Sequence, residues 1–594
     1  MKSKGISFLI IVLAIIIVIS AVRLKTYGQQ NLRVSNLDTG ERYETIQEAI
    51  NAANIGDAIY VRNGTYYENV VVNKTVSLAG ENKSHTIIDA RGSGNVISVM
   101  ADNVEIGGFT IQNSEWTITQ SGVYVYHSSG SRISDNIMRN NLYGIHLYYS
   151  GENIVLNNTF SDNRFGISLT SGTANVVSSN NFSRNQDGIR LSFSGYNVFS
   201  KNNISSSIFN AISLSTSTEN AFSNNTVLNN GHGFDLTFCG YNMFLDNNVS
   251  KNEQGFSLSG SSYNTISGNN IFYNTICGVW LGASSDNVFV NNHLVNNRES
   301  FHLETSEDNS IYHNNFINTQ VDTTQQPSCF DSVNFWNDDV EGNYWSSHNG
   351  PDENRDGISD EAYIIDDENR DSYPLMGIFS QFNILVSGKV YAIDVVSNSE
   401  ISKFHYFHYP ANRTAVLTFQ VNYTGEEGFC RINVPNILIE PPHAVALNRN
   451  ASLYSRVVHS NTTHSWLYFE YHYPQPGTLT ITMLSQEPPP WYQLWFWVII
   501  GLAMIVAILL LFVIRYRMIC SEQKKVIQAY ELKMHVREHF STARAFFETD
   551  VERRKGKIQK FEKKYKVRIR PRKDFEDMIR SIELEKEEKD KVAN

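Results

Sequence analysis

From residue 122 to residue 303 apolar positions recur in short alternating runs. They read Gly122-Val-Tyr-Val, Gly144-Ile-His-Leu, Gly166-Ile-Ser-Leu, Gly188-Ile-Arg-Leu and Ala211-Ile-Ser-Leu, then Gly233-Phe-Asp-Leu, Gly255-Phe-Ser-Leu, Gly278-Val-Trp-Leu and Ser300-Phe-His-Leu. An asparagine column keeps the same beat through Asn153, Asn175, Asn197, Asn220, Asn242, Asn264, Asn287 and Asn309, with spacings of 22 or 23 residues. A further amide column is read through Asn158, Asn181, Asn203, Asn225, Asn248, Asn270, Asn292 and Asn315. Alternation with period two inside each unit predicts two or three short strands joined by turns, not a helix. A unit of 22 residues is too short to bury its own apolar face, so units must stack and share one core. In such a stack like residues sit ~4.8 Å apart. An asparagine at a turn can then bond to the amides above and below, which satisfies a polar group that would be costly to bury alone. The glycine opening each unit is expected to take a turn with positive φ. The fold predicted is a parallel β-solenoid of roughly a dozen coils, on the order of 55–60 Å long.

Its flanks have different patterns. Residues 44–54 place Ile46, Ala49, Ile50 and Ala53 at helical spacing, which predicts a helix capping the open end ahead of a first strand in Gly56-Asp-Ala-Ile-Tyr-Val. Residues 382–487 alternate over longer runs, such as Ala415-Val-Leu-Thr-Phe-Gln-Val, and predict an antiparallel β-sandwich. Pro488 to Pro490 make a stiff connector. Two segments fit membranes. Residues 6–22, behind Lys2 and Lys4, read either as a signal peptide or as an uncleaved anchor, within a leader region 1–25. Residues 494–514 carry no charge across 21 positions, enough for a transmembrane helix. Trp491, Tyr492, Trp495 and Trp497 precede that span, and Arg515, Arg517, Lys524 and Lys525 follow it. This predicts a cytoplasmic tail at 515–594 and an extracytoplasmic body.

Composition narrows the function. The chain has 594 residues and a formal charge of −11, against a nucleic-acid partner. The tail is the exception, with 23 Lys/Arg against 15 Asp/Glu. It predicts two helical stretches broken at Arg570-Pro571, either a solvated pair or coiled coil, or a surface for anionic lipid or a cytoplasmic partner. Five cysteines without C-x-x-C spacing exclude a disulfide scaffold or zinc ribbon. Twelve Asn-x-Ser/Thr triplets, headed by Asn63, Asn73, Asn82, Asn157, Asn181, Asn203, Asn224, Asn248, Asn412, Asn422, Asn450 and Asn461, all fall before the predicted span.

Thr45-Ile-Gln-Glu-Ala-Ile, Gly56-Asp-Ala-Ile-Tyr-Val, Gly64-Thr-Tyr-Tyr-Glu-Asn and Thr86-Ile-Ile-Asp resemble the N-terminal coils of the NosD-type right-handed parallel β-helix family. The similarity runs over about 37–376, through Gly342-Asn-Tyr-Trp to Tyr373-Pro-Leu, within a predicted solenoid domain of 37–378. That family belongs to a wider group of carbohydrate-binding proteins and sugar hydrolases. The resemblance implies an extracytoplasmic β-helix, with copper delivery in the name-giving members and polysaccharide contact in the wider group; the fold alone does not fix an activity.

Three candidate sites are legible. Asp352, Asn354, Asp356, Ile358 (through its carbonyl) and Asp360 follow the spacing of a calcium loop, with Gly357 at the sixth position. The pattern departs from an EF-hand because Tyr363 stands where the bidentate Glu belongs, so a structural Ca2+ and an acidic solvated turn are both open. The residue between the inward apolar positions of each unit must face out. That column is Tyr124, His146, Ser168, Arg190, Ser213, Asp235, Ser257, Trp280 and His302, a strip suited to stacking on and bonding to sugars, with His146, Arg190, Asp235, Trp280 and His302 as its main ligand-facing members. Within it Asp187, Arg190, His232 and Asp235 are the weak candidates for catalysis, two coils apart. Copper finds little: His405 and His408 are three apart, on opposite faces of a strand. The readings carried forward are a membrane-anchored surface protein binding glycan or a surface protein, a polysaccharide hydrolase or lyase, and a copper-delivery protein.

Overall fold

The structure is a computed structural model that describes residues 32–484 apart from 118–119, 319–326, 410–413, 424–426, 442, 449–450 and 473–476. The leader at 1–25, the span at 494–514, the tail at 515–594, the proline connector, Asn412 and Asn450 lie outside the described residues. No helix among the described residues is long and apolar enough to cross a membrane.

Three parallel sheets of 14, 13 and 12 strands, here sheets A, B and C, wind into a right-handed-type β-solenoid of about twelve turns. Each coil passes through A, then B, then C. The inward columns are apolar and fully buried, with phenylalanines stacked coil on coil, such as Phe160 on Phe182 and Phe199 on Phe222, both at 4.7 Å. The first strands form an antiparallel cap, Val34–Asn36 pairing with both Arg42–Tyr43 and Ala58–Val61. Over it lies a helix, Ile46–Ala52, opened by Thr45 and Glu48 in a reciprocal capping box and buried through Ile46, Ala49 and Ile50. The Glu68 carboxylate accepts from the Ile46 and Gln47 amides and ties this helix to the coils.

The turns hold buried amide ladders. Asn175 Nδ2 donates to Asn197 Oδ1 at 3.0 Å and to the Ser150 carbonyl at 3.0 Å, and Asn197 Oδ1 also accepts the Asn175 amide at 2.9 Å. This C–A ladder follows the column beginning at Asn153. The second predicted column needs correction. Its ladder members are Asn158, Asn180, Asn202, Asn225, Asn247, Asn269, Asn292 and Asn314, whereas Asn181, Asn203, Asn248, Asn270 and Asn315 are the next residues along, opening sheet B strands, and of these five Asn315 alone is buried. A third ladder, at the B–C turn through Asn141, Asn163, Asn185, Asn230, Asn252, Asn274 and Asn297, was not anticipated.

The glycines also play another part than expected. None of Gly122, Gly144, Gly166 or Gly188 has positive φ. Each lies within a strand where coils approach closely: a Cβ on Gly166 would lie 2.5 Å from the Gly188 carbonyl oxygen and 2.7 Å from Phe182 Cδ1. Left-handed backbone is taken instead by turn residues such as Asp135, Asn157, Lys201 and Asn224. Each such residue costs about 1–2 kcal/mol, offset by the ladder bonds that fix the turn.

Trp336 and Trp345 close the C-terminal end, Trp345 stacked between Phe316 at 4.0 Å and Tyr363 at 4.2 Å. Beyond it two five-stranded antiparallel sheets face each other across a separate apolar core. The first of these strands, Ile378–Val386, is pinned to the solenoid where Phe379 and Asn315 exchange two hydrogen bonds of 2.7 and 2.8 Å.

Candidate functional site

The outer face of sheet C carries the column read from the sequence. Its register pairs Tyr124 with His146, His146 with Ser168, Ser168 with Arg190, Arg190 with Ser213, and Ser213 with Asp235. It continues through Ser257 and Trp280 to His302. Interlocking apolar residues such as Ile189 and Leu191 are fully buried, so the residue between them must point out.

Three zones follow one another along this face. The first is aromatic. Tyr126 stacks on Tyr148 at 6.0 Å, Tyr143 on Phe165 at 5.0 Å, and Tyr143 on His146 at 4.7 Å. His146 is only 6% exposed; its Nε2 bonds with Thr170 Oγ1 at 3.1 Å while Nδ1 has no partner. Burial pushes the His146 imidazolium down to about 4, so the ring is neutral near pH 7. The sequence reading missed Tyr126, Tyr143, Tyr148 and Phe165, because it followed one outward column; the second, two residues further along the strand, is visible as Tyr126 and Tyr148.

The second zone brings together the four candidates for catalysis. Asp187 and Arg190 lie on Asp187–Ser192, His232 and Asp235 on His232–Thr237, with Asn210–Ser215 between them. Asp187 Oδ1 accepts the Asn210 amide at 3.0 Å. Burial raises the Asp187 carboxyl, and the negative charge of Asp235 adds to it against Arg190 and Arg164. Burial likewise raises Asp235, against His232 and a bond from Ser257. The charge of Asp235 thus reaches Asp187, but the two stand in different columns, Asp187 in line with Asn210 and His232 and Asp235 in line with Ser213 and Arg190, offset by three residues along the strand as well as by two coils. Arg190 makes no ion pair with either; it is exposed, its guanidinium 5.2 Å from the Phe165 ring centre. Ile208 and Phe209 on one rim, and Phe193 and Phe238 on the other, are each more than half exposed.

In the third zone the Trp280 ring packs against Gly282, where a Cβ would fall 2.3 Å from its Cη2. His302 Nδ1 meets Ser328 Oγ at 2.9 Å and Glu299 Oε2 at 3.3 Å, and Ser328 also bonds to Glu299. Both partners converge on one ring nitrogen, so this is no nucleophilic triad, in which acid and hydroxyl need opposite nitrogens.

The candidate calcium loop lies against the sandwich. Asp352 accepts the Asp356 and Gly357 amides at 2.9 Å each, and Gly357 has φ +84°. Asn354 Nδ2 donates to Asp360 Oδ1 at 3.1 Å. Burial raises the Asp352 carboxyl, and Asp356 and Asp360 raise it further. Arg431 and Arg456 of the sandwich donate to loop carbonyls. No group of three or more His, Cys, Asp or Glu side chains poised to hold a metal occurs among the described residues. His405 and His408 are both exposed on the strand Glu400–Tyr409.

The chain matches the family model described as periplasmic copper-binding protein (NosD) over residues 50–239 and 206–350. A cell surface glycoprotein of Methanothermus fervidus is 34% identical over 110 residues, which are 18% of this chain and 17% of that one, so the chain spans under a fifth of this curated relative. Among solved structures it resembles the periplasmic alginate epimerase AlgG, at 13% identity over 48% of this chain and 87% of that one, TM-score 0.28. It also resembles the catalytic domain of a GH87 alpha-1,3-glucanase bound to nigerose, at 13% identity over 51% of this chain and 67% of the other, TM-score 0.37. The two family-model matches together span half of the 594 residues, and on that ground the chain belongs to the NosD family.

Proposed function

We propose that this chain is a membrane-anchored, extracytoplasmic β-helix protein that binds glycan along the outer face of sheet C. The observation carrying this reading is the aromatic zone, where Tyr126 and Tyr148 stack across neighbouring coils and Tyr143 stacks on the buried Phe165, with polar Arg190, Ser213 and Asp235 in the coils that follow on the same face. Pyranose rings stack on aromatic faces while their hydroxyls need donors and acceptors at the rim. The family's periplasmic description and the cell surface glycoprotein support placement outside the cytoplasm. A surface-protein partner on the same face is the nearest alternative, and any cytoplasmic partner belongs to the tail. Full-length chain in detergent, tested against a panel of immobilised neutral and acidic polysaccharides, is expected to bind at least one; binding to none removes the reading.

A second reading, a polysaccharide hydrolase or lyase, is favoured by one observation, the raised carboxyls of Asp187 and Asp235, the first raised in part by the charge of the second. It requires reducing-sugar release from a bound polysaccharide that Asp187→Asn and Asp235→Asn each abolish. In the loop from Asp352 to Asp360, left-handed Gly357 and three mutually repelling carboxylates support the proposal of a structural Ca2+, held by Asp352, Asp356, Asp360, Asn354 and the Ile358 carbonyl. Copper rests on the family's printed description, and tight binding in a titration of the full chain would be its support.

A further inference from the structure

Since each coil runs A, B, C and back to A, sheet C is bordered by the B–C and C–A turns and never by the A–B turn. The sequons of the solenoid follow that geometry. Asn63, Asn82, Asn157 and Asn224 stand in A–B turns, and Asn181, Asn203 and Asn248 open sheet B strands immediately behind them. Asn73, after Val70–Val72, is in a C–A turn, and no strand of sheet C holds a sequon. The coil itself explains this. Two residues after a C–A or A–B ladder asparagine the chain points inward, as at Val155 after Asn153 and Phe182 after Asn180, so an apolar residue stands where the hydroxyl would be. After the B–C ladder that position holds residues such as Asp187, His232 and Gln254, and no ladder asparagine heads a sequon. One step later the frame turns outward: Asn181 and Asn203 are exposed, and Ser183 and Ser205 complete their triplets.

We infer that these exposed asparagines carry N-linked oligosaccharide, and that the sugar forms a line along the A–B turn, leaving the face of sheet C bare for its ligand. The inference rests on the extracytoplasmic placement proposed above. The donor is a lipid-phosphate-linked oligosaccharide. Asparagine Nδ2 bonds to its anomeric carbon, the bond from that carbon to the phosphate oxygen breaks, the phosphate leaves with the electron pair, and the amide loses one proton to a base of the transferase. Asn181 and Asn203 are register partners on neighbouring coils, about 4.8 Å apart, and Asn203 Nδ2 donates to Asn181 Oδ1 at 2.9 Å; Asn157 and Asn224 stand two residues off that column. Two branched oligosaccharides do not fit side by side at that spacing, so Asn181 and Asn203 exclude one another.

The test labels intact producing cells with a membrane-impermeant amine reagent, then purifies the full chain and reads its glycopeptides by mass spectrometry. The expected result is a labelled chain with sugar at Asn157 and Asn224, and at Asn181 or Asn203 but never both on one peptide. A labelled chain with these asparagines unmodified overturns the inference and leaves surface placement standing. An unlabelled, unmodified chain overturns both, and a peptide carrying sugar at Asn181 and Asn203 together overturns the exclusion.

Discussion

Glu341, at the closed end of the solenoid, holds Arg431 of the sandwich in a buried ion pair of 2.7 Å, with both side chains at most 6% exposed. Arg431 also donates to the Asp356 carbonyl at 2.7 Å, while Glu341 accepts from or pairs with His313 at 3.0 Å. The sandwich is thus fixed to the rod through charge as well as through Phe379. Breaking one partner leaves the other buried and unpaired, so Arg431→Met is expected to cost about 3–5 kcal/mol. Glu341→Leu combined with Arg431→Met should recover most of it. Urea melts of the three variants check this, and an additive double variant would contradict it.

The same cluster sets a pH window. Burial alone would lower the His313 imidazolium, but the Glu341 carboxylate bonded to it more than reverses this, so its stabilisation is present below pH 6.5 and lost as pH rises through the raised folded value. Burial works against ionised Glu341, yet His313 and Arg431 hold it down to about 2, so its stabilisation is present above pH 4.5 and lost as pH falls from there. Melting temperature should therefore peak between about pH 4.5 and 6.5. His313→Gln should flatten the alkaline limb, a comparison that separates the imidazole from Asp394, whose carboxyl burial pushes up.

Adjacent asparagines are predicted to differ sharply. Asn197 lies in a ladder, and its removal leaves the Asn175 backbone amide and one Nδ2 proton without their acceptor, the other staying on the Ser150 carbonyl. Asn197→Ala should cost about 1–3 kcal/mol for each group so stranded. Asn181→Ala, on the exposed column, should stay within about 0.5 kcal/mol. Denaturant midpoints of unglycosylated protein decide the matter, and equal losses would contradict the column assignment.

That contrast also marks where the sequence stopped being legible. Periodicity located the coils and the Asn153 column because every member is separated by one whole turn. It could not place Asn158 and Asn181 in different columns, because insertions of one residue keep both spacings near 22. Glycine at Gly166 looked like turn chemistry, while its cause is a carbonyl 2.5 Å from where a Cβ would be, on a strand 22 residues away. The outward column was readable from alternation alone, and so was the chance that Asp187 and Asp235 approach. The seam was not, since Glu341 and Arg431 are 90 residues apart and share no pattern.

Calcium, if bound by the loop, must stabilise the fold by mass action. A site at a hundredfold excess over its dissociation constant adds about 2.7 kcal/mol. Melting temperature should rise with added Ca2+, fall back in EDTA, and become insensitive to both in Asp352→Ala. An unchanged melt of the native chain in EDTA would remove the metal from the account.

The central claim is that ligand lies on sheet C, and paired substitutions on different faces test it most directly. With a polysaccharide that the full chain retains, equilibrium binding should weaken at least about tenfold, or 1.4 kcal/mol, in Tyr126→Ala/Tyr148→Ala. It should be unchanged in Arg139→Ala, whose side chain bonds to Gln112 on sheet B. Unaltered binding after loss of both tyrosines, or binding lost on sheet B instead, would contradict the claim.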